Sequence, residues 1–306
     1  MPPVSEQGLE RLLEGLRRHW PEYALKMEQR LTAMDQERLA FCQDIADLVR
    51  AIAQEDLPGF CADFRWLCQM LLQEEMAFRR SGRYRLSTFA EANAQVYARP
   101  EVMVPYLRGL LISQVAWPNH LAMLHYYHSR YLGRPGLAGA HLEIGPGHGI
   151  LLVLAARHGG FRSVEGWDVS PSSVDLTRRT LEAAGVASGV TLRHLDAFGG
   201  RAADGPRFDS IVVSEVLEHL EHPGQALASL GELLTPQGLL FVNVPVNSPA
   251  PDHIHLLKTP QEAAELVEAS GFKVLESAAF PANDYSLAKA CRTASTISCA
   301  LIASAA

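Results

Sequence analysis

The stretch from residue 141 to residue 149, His-Leu-Glu-Ile-Gly-Pro-Gly-His-Gly, is the part of the sequence that most constrains the fold. A short apolar run ends at an acidic residue, Glu143, and three glycines then follow at every second position. Glycines at this spacing let the chain turn sharply at the end of a strand, and they let a ligand approach the main chain because no Cβ intervenes. The apolar run that begins at Ile150 predicts a helix. The stretch therefore predicts a strand, a ligand-binding turn and a helix.

The acidic residue beside the glycines indicates which ligand the turn accepts. A pyrophosphate would be repelled by the carboxylate of Glu143, whereas a ligand that carries a sulfonium and an ammonium group would be attracted. The dinucleotide fingerprint Gly-x-Gly-x-x-Gly is not met, because position 150 is Ile. These residues predict S-adenosylmethionine as the ligand.

Strand and helix signals alternate through the second half of the sequence. Apolar runs predict seven strands, which are the run ending at Glu143 and the segments 163–169, 190–197, 208–214, 238–246, 272–280 and 295–303. Ser170-Pro171 and Thr259 to Glu262 are typical helix starts between them. This order predicts an α/β fold, a mostly parallel and doubly wound sheet that binds its ligand at the carboxyl ends of the strands.

Two further acidic residues follow predicted strands. Asp168 comes 25 residues after Glu143, one strand–helix–strand unit later, and is placed to accept hydrogen bonds from both ribose hydroxyls. Asp196 ends the third strand and could accept a hydrogen bond from an adenine amino group.

In this order and spacing, the motifs resemble those of class I S-adenosylmethionine-dependent methyltransferases. The resemblance covers residues from about 137 to 306, and the matching features are residues 143–149, Asp168, Asp196, the run 215–223 after the fourth strand and the turn 234–239. It implies a Rossmann-like seven-stranded sheet whose last strand is antiparallel, with S-adenosylmethionine as cofactor. The expected cofactor-binding residues are Glu143, Gly145, Gly147, Gly149, Asp168, Val169, Asp196, Ala197 and Glu215.

The first half of the sequence has a different pattern. Apolar residues recur at three- and four-residue spacing over 5–18, 21–32, 35–54, 58–80, 87–98 and 100–132. We expect an all-helical domain at 1–135 and the cofactor-binding catalytic domain at 136–306, joined through the glycine-rich stretch 133–139. In the resembling family such additions form a lid and substrate chamber. A dimerisation bundle is the alternative, so a homodimer is an open expectation.

Candidate catalytic residues lie in the densest polar and aromatic patch, residues 117–128. Asn119, His120 and Tyr126 are the candidates there, and Ser214 at the end of the fourth strand is a fourth. In the alternative interpretation, the tyrosines are packing residues whose rings are buried and whose hydroxyls contact water.

The run after the fourth strand raises the question of a metal. On a helix Glu215, Glu218 and His219 would share one face, and His253 or His255 could add a fourth ligand. The same run occurs in many members of the resembling family that bind no metal, so the expectation is no metal. Because His253 and His255 alternate, one of them should face the cleft as a possible general base.

Composition narrows the partners. A formal net charge of −7 and a pI near 5.9 disfavour a nucleic-acid partner. Neither a membrane-spanning apolar run nor a signal-like start is visible. Five scattered cysteines indicate reduced thiols and a cytoplasmic location.

Three functions follow as expectations. The first is a methyltransferase acting on a small molecule in bacterial specialised metabolism. The second is a cyclase, in which the cofactor's own amine attacks its γ-carbon to give azetidine-2-carboxylate and methylthioadenosine; the helical N-terminal half and patch 117–128 resemble bacterial synthases of that kind. The third is a cofactor-binding protein without catalysis.

Overall fold

The structure is a computed structural model that describes residues 8–198 and 207–306. The first three residues of the predicted helix 5–18 lie outside the described residues. No helix within the described ranges is long and apolar enough to cross a membrane.

Helices make up the N-terminal half. They are α1 (Gly8–His19), α2 (Pro21–Thr32), α3 (Gln36–Ala53), α4 (Leu57–Ser81), α5 (Phe89–Ala92), α6 (Pro100–Ala116) and α7 (Pro118–Tyr126), with π-helical turns at Asn93–Tyr97 and Tyr127–Leu132. The predicted segment 100–132 is thus two helices and a turn. Trp117 is extended, with φ −94° and ψ 130°, because an α conformation before Pro118 would clash with the proline ring.

Local sequence signals set the helix ends. The side chain of Asp35 accepts a hydrogen bond from the backbone N–H of Arg38 and caps α3. Helix α4 ends at Ser81 and is capped by Gly82, whose φ of 69° is left-handed and whose N–H donates to the carbonyl of Phe78.

The second half forms one seven-stranded sheet with helices between the strands. Its strands are β1 (Gly139–Ile144), β2 (Phe161–Asp168), β3 (Val190–His194), β4 (Phe208–Ser214), β5 (Leu234–Val246), β6 (Phe272–Pro281) and β7 (Ile297–Ala305). The helices are α8 (Ile150–His158), α9 (Pro171–Ala183), α10 (Pro223–Leu233), α11 (Pro260–Ala269) and α12 (Leu287–Arg292).

The strand order is β3-β2-β1-β4-β5-β7-β6, and only β7 runs in the direction opposite to the other six strands. This confirms the predicted doubly wound, Rossmann-like sheet with an antiparallel last strand. The order reverses between β1 and β4, so the crevice at their carboxyl ends is the expected ligand site.

The start of β5 differs from the prediction. The sequence predicts a turn over 234–239 and a strand from Gly238, but the strand begins at Leu234. Leu234 pairs with Phe208, and the register shifts before Leu239 pairs with Ser210. This irregularity accommodates the extra residues as a bulge, which Pro236 and Gly238 at its centre tolerate.

One hydrophobic core joins the N-terminal helices to the sheet. Tyr127 and Tyr131 are fully buried and pack against Phe241 of β5. The Tyr131 hydroxyl lies 2.8 Å from Ser210 Oγ and donates to the carbonyl of Leu239 at 3.0 Å. The turn after α7 therefore packs as a layer on the sheet, upstream of the predicted domain boundary at 135.

Side chains of α2 form hydrogen bonds with the end of α6, at the break before α7. The Tyr23 hydroxyl and the Arg30 guanidinium both donate to the carbonyl of Ala116, at 2.8 and 2.5 Å. Arg30 also lies 3.7 Å from Asp284, in the loop after β6 at the carboxyl edge. These contacts hold the helices over that edge of the sheet.

Candidate active site

The glycine turn between β1 and α8 has a left-handed backbone at three positions. Gly145, Gly147 and Gly149 have φ of 66°, 54° and 81°. A Cβ on Gly145 would lie 2.7 Å from Val216, and one on Gly149 would lie 3.1 Å from Thr177, so both glycines are needed for packing. The nearest atom to a Cβ on Gly147 is 3.9 Å away. Gly147 therefore borders open space, where a ligand can approach the main chain.

Glu143 is buried beneath this turn with one carboxylate oxygen free. Its side chain is 2% exposed, and Oε2 has no hydrogen-bond partner within residues 8–198 and 207–306. Burial, with a smaller effect from the charge of Asp168, raises the pKa of Glu143 to about 8. A positive charge next to a buried carboxyl group stabilises its ionised form, so a carboxyl group with a raised pKa and a free oxygen favours a cationic partner. Glu143 therefore fits the positive groups of S-adenosylmethionine.

Asp168, at the end of β2, ties the turn to the start of α9. Its Oδ1 accepts from the backbone N–H of Ser170 at 2.8 Å, and its Oδ2 accepts from Gly147 at 3.4 Å. Burial raises the pKa of Asp168, and these hydrogen bonds partly offset that rise. The long bond leaves Oδ2 with acceptor capacity for a ribose hydroxyl.

The residues expected around the adenine lie beyond β2 and β3. Val169 is 52% exposed, and its carbonyl lies 3.0 Å from His194 Nε2. Asp196 is exposed and accepts from the backbone N–H of Phe198, while Ala197 is buried beside it. The segment thus offers an apolar surface with an acceptor at its rim.

At the end of β4, Asn243 of β5 organises two of the expected residues. Its Nδ2 donates to Ser214 Oγ at 3.0 Å and to Glu215 Oε1 at 2.9 Å. Glu215 has a left-handed backbone, with φ 53°, and its N–H donates to the carbonyl of Asn243. Burial raises the pKa of Glu215 to about 7.

Two tyrosines of the N-terminal half reach this edge of the sheet. Tyr97 donates to Oδ2 of Asp252 at 3.1 Å, and Tyr106 donates to Oδ1 of the same carboxylate at 3.0 Å. Asp252 is 2% exposed and lies in the loop that follows β5. A buried carboxylate with two hydroxyl donors is a stable anchor between the helices and the sheet domain.

His219 is held beside this anchor in a defined tautomer. Its Nδ1 lies 3.1 Å from the carbonyl oxygen of Asp252 and 3.0 Å from the Tyr97 hydroxyl. A carbonyl only accepts, so Nδ1 carries the proton and Nε2 of the neutral ring is free to accept one. The side chain is 18% exposed.

His253 has a similar tautomer but a deeper position. Its Nδ1 lies 2.6 Å from the carbonyl oxygen of Ser248, which leaves Nε2 without a proton. Burial, and next the proximity of His219, lower the pKa of His253 to about 4. A group with this pKa is a weak base near neutral pH. His255 is partly exposed, and burial also lowers its pKa.

Glu218 lies between the two imidazoles. Both of its oxygens are buried without a hydrogen bond in the described structure, 3.8 Å from His219 Nε2 and 3.9 Å from His253 Nε2 at the closest. One ligand atom from each residue lies within 4.8 Å of the others. The donor set that the fold assembles is therefore Glu218, His219 and His253, rather than the predicted face that includes Glu215. Burial and the charge of Glu215 raise the pKa of Glu218 well above its usual value.

The ring of His120, near the start of α7, packs against that of Trp117 with centroids 4.7 Å apart. Its Nδ1 accepts from Gln114 Nε2 at 3.1 Å and lies 2.9 Å from Ser113 Oγ, so the proton of the neutral ring is on Nε2. Burial, with a smaller effect from nearby His148, lowers its pKa to about 3. His120 therefore has a donor at Nε2 but is not available as a base.

Asn119 and Tyr126 have contacts of another kind. Asn119 is buried and donates to Ser298 of β7 at 3.0 Å. Tyr126 donates to Glu276 of β6 at 2.9 Å, and Arg130 binds the same carboxylate. Both hydrogen bonds join α7 to the sheet, and neither residue is brought into the group around His219.

Sequence reasoning missed Tyr97, Tyr106 and Asp252 as site residues. Tyr106 and Asp252 are 146 positions apart, so periodicity could not pair them. The available signal was the polar composition of the loop that contains Asp252 and His253, but it did not identify partners.

A family model for the methyltransferase domain matches residues 122–277, half of the chain. The chain belongs to the class I S-adenosylmethionine-dependent methyltransferases. S-Adenosylmethionine is accordingly its cofactor, as the glycine turn and Glu143 predict.

Two curated relatives are both named ubiquinone biosynthesis O-methyltransferase. The protein of Methylocella silvestris is 31% identical over 140 residues, which are 46% of this chain and 50% of the relative. The protein of Cereibacter sphaeroides is 36% identical over 100 residues, 33% of this chain and 38% of the relative. The matches thus extend over half or less of these relatives.

Among solved structures, the mitomycin 7-O-methyltransferase MmcR is similar in fold. The TM-score is 0.55 at 16% identity, and the match covers 85% of this chain and 75% of that one. At this identity the likeness concerns the fold alone.

The raised pKa of Glu143 predicts a pH-dependent affinity for the cofactor. Below pH 8 the free enzyme holds a proton on Glu143, and binding of the cationic cofactor must release it. We expect the affinity to rise with pH between 6 and 7.5, by up to about tenfold per pH unit for one released proton. Calorimetry in buffers of different ionisation enthalpy measures both the affinity for the cofactor and the number of protons released on binding.

Glu143→Gln is the matched control for this titration. Glu215 titrates in the same range, with its pKa near 7, so the Glu143 effect is the difference between wild type and this variant. An unchanged proton release in Glu143→Gln would show that another group is responsible.

Metal removal tests the group around Glu218. The lowered pKa of His253 and the raised pKa of Glu218 favour a neutral pair, which needs no cation for charge balance. We therefore expect dialysis against a chelator to leave methyl transfer unchanged and added Mg²⁺ or Mn²⁺ to have no effect. Activity that is lost with chelator and restored by one divalent ion would instead identify Glu218, His219 and His253 as ligands.

Proposed function

We propose that this protein transfers a methyl group to a hydroxyl oxygen of a small molecule. The observation that supports an oxygen acceptor best is the tautomer of His219, whose free Nε2 is suited to remove a proton. The O-methyltransferase names of the relatives support the same acceptor type. The negative charge of the chain favours a small molecule over a nucleic acid.

In this proposal each cofactor-binding residue contacts a different part of S-adenosylmethionine. When bound, the cofactor supplies an electrophilic methyl group. Glu143 neutralises positive charge near the glycine turn, Asp168 accepts from the ribose, and Asp196 with Ala197 borders the adenine. Ser214 and Glu215, both fixed by Asn243, border the methionine half at the end of β4.

In this proposal His219 is the general base. Asp252, held by two tyrosine hydroxyls, fixes the backbone carbonyl that orients Nδ1 of His219. A hydroxyl acceptor would give its proton to Nε2 while the oxygen attacks the methyl group in line with the departing sulfur.

The N-terminal helices act as the substrate chamber in this proposal. Tyr97 and Tyr106 extend from the helices to the same carboxylate that supports His219, so the chamber wall and the base form one hydrogen-bonded unit. A covered cleft also keeps water away from the reactive cofactor. A role in bacterial specialised metabolism is compatible with this chemistry.

The products formed from the cofactor distinguish the proposal from the cyclase. We expect S-adenosylhomocysteine only when an acceptor is present, because the methyl group needs a nucleophile other than the cofactor. Purified protein with S-adenosylmethionine and a panel of phenols, catechols and amines, analysed by mass spectrometry, measures this. Methylthioadenosine formed from S-adenosylmethionine alone would establish the cyclase, and methylation of amines alone would exclude the hydroxyl acceptor.

Replacement of His219 tests the proposed base. We expect His219→Gln to lower kcat by about 10²–10⁴-fold, because the acceptor keeps its proton. The dissociation constant for S-adenosylmethionine should stay within about twofold, since the cofactor is held by other residues. His222→Gln, three residues away at the exposed start of α10, is the matched control and should retain activity. An unchanged kcat in His219→Gln would contradict the assignment.

A further inference from the structure

A pocket lies where the end of α4 meets the loop after β5, and its lining contains none of the residues assigned above to the cofactor or to the base. Its volume is about 540 Å³, within the range of small-molecule sites. Arg80, Arg83 and Arg85 line one side, and Pro249 and Ala250 of the loop line another. Three cations thus face one recess in a chain whose formal net charge is −7.

The end of α4 explains why the arginines converge. The left-handed Gly82 reverses the chain after the last helical turn, so residues before and after it border the same recess. Phe78 and Tyr84 pack together beneath it, with ring centroids 5.6 Å apart. Both side chains are buried, which gives the pocket a firm floor.

Two of the three arginines are free to bind a ligand. Arg85 is paired with Glu74 at 2.9 Å and also donates to Gln95. Arg80 and Arg83 form no side-chain ion pair or hydrogen bond with any other residue of 8–198 or 207–306. With Glu74 as the acidic lining residue offsetting Arg85, the pocket keeps the charge of two guanidinium groups.

Tyr84 forms a wall between this pocket and the active site. It lines the pocket, its hydroxyl accepts from the backbone N–H of Ser248 at 3.0 Å, and its ring lies 5.9 Å from that of His253. The pocket is therefore adjacent to the loop that carries Asp252 and His253 but separate from the cofactor cleft.

We propose that this pocket binds a small anionic ligand through the guanidinium groups of Arg80 and Arg83. Planar guanidinium forks match the oxygens of phosphate and carboxylate groups, and two unpaired forks suit a ligand with at least two negative charges. Phosphate monoesters and polycarboxylates share this chemistry. The site is distinct from the proposed acceptor site and does not depend on the type of methyl acceptor.

Binding of inorganic phosphate and of citrate tests the site directly. The full chain is titrated by calorimetry at constant ionic strength, with saturating S-adenosylhomocysteine to fill the cofactor cleft. We expect saturable binding of at least one anion in the wild type. The Arg80→Gln/Arg83→Gln double variant should bind it at least about tenfold more weakly, because charge-assisted hydrogen bonds are lost.

Arg79→Gln is the control for the loss of one nearby positive charge, since Arg79 precedes Arg80 in the last turn of α4. Arg79 binds Glu75 and the carbonyl of Thr293 and does not line the pocket. We expect its anion affinity to equal that of the wild type. Unfolding temperatures without anion show whether each variant is folded, and Arg83→Lys, which keeps the charge but not the fork, should give an intermediate affinity.

The two anions also identify the ligand class. Tighter phosphate binding would indicate a phosphate ester, and tighter citrate binding a polycarboxylate. Absence of saturable binding of both anions to the wild type would overturn the proposal. An equal loss of affinity in Arg79→Gln and in the double variant would also overturn it, because general electrostatic attraction would then explain the binding.

Discussion

The burial of four acidic side chains at the carboxyl edge of the sheet is the constraint on which the rest of this structure depends. Glu143, Glu215, Glu218 and Asp252 converge there because parallel strands end at one edge. Each isolated carboxylate would be costly to bury. The fold reduces this free-energy cost differently at each residue, and the different solutions give each part of the edge its own chemistry.

At Glu143 the response is a raised pKa and a free oxygen, which leaves a group that gains a partner when a cation binds. At Asp252 the response is complete hydrogen bonding, because two tyrosine hydroxyls occupy its two oxygens. The arrangement at Glu143 suits a ligand that binds and dissociates. The one at Asp252 suits a permanent support, and it requires the N-terminal helices to be in place. The hydrogen bonds of Asp252 therefore depend on how the N-terminal helices pack on the sheet.

The sequence was sufficient for features that short segments determine. Glycines at every second position after Glu143 predict the turn, and proline or a capping residue predicts where most helices begin. The position of Asp168 at a strand end follows from the strand–helix–strand spacing. Each of these predictions depends on neighbours within a few residues or on one repeating unit.

Features that depend on distant partners could not be predicted in this way. Asn119 and Tyr126 stood out in the sequence because of their polar groups, but Ser298 and Glu276 on β7 and β6 use those groups for packing. Conversely, Tyr97 lies in a helical pattern typical of packing, yet its hydroxyl contacts His219. A side chain's chemistry suggests what it can do, whereas its long-range partner decides what it does.

The loop after β5 shows how two sites can share one element. Ser248 donates its N–H to Tyr84 and offers its carbonyl to His253, so a single residue contacts both a side chain that lines the pocket of Arg80 and Arg83 and an imidazole of the candidate active site. Pro249 and Ala250 then line the pocket, and Asp252 supports His219. A ligand that binds Arg80 and Arg83 would contact this loop at Pro249 and Ala250. Any shift in the Ser248 backbone would reach His253 through one hydrogen bond, which gives the two sites a direct physical connection.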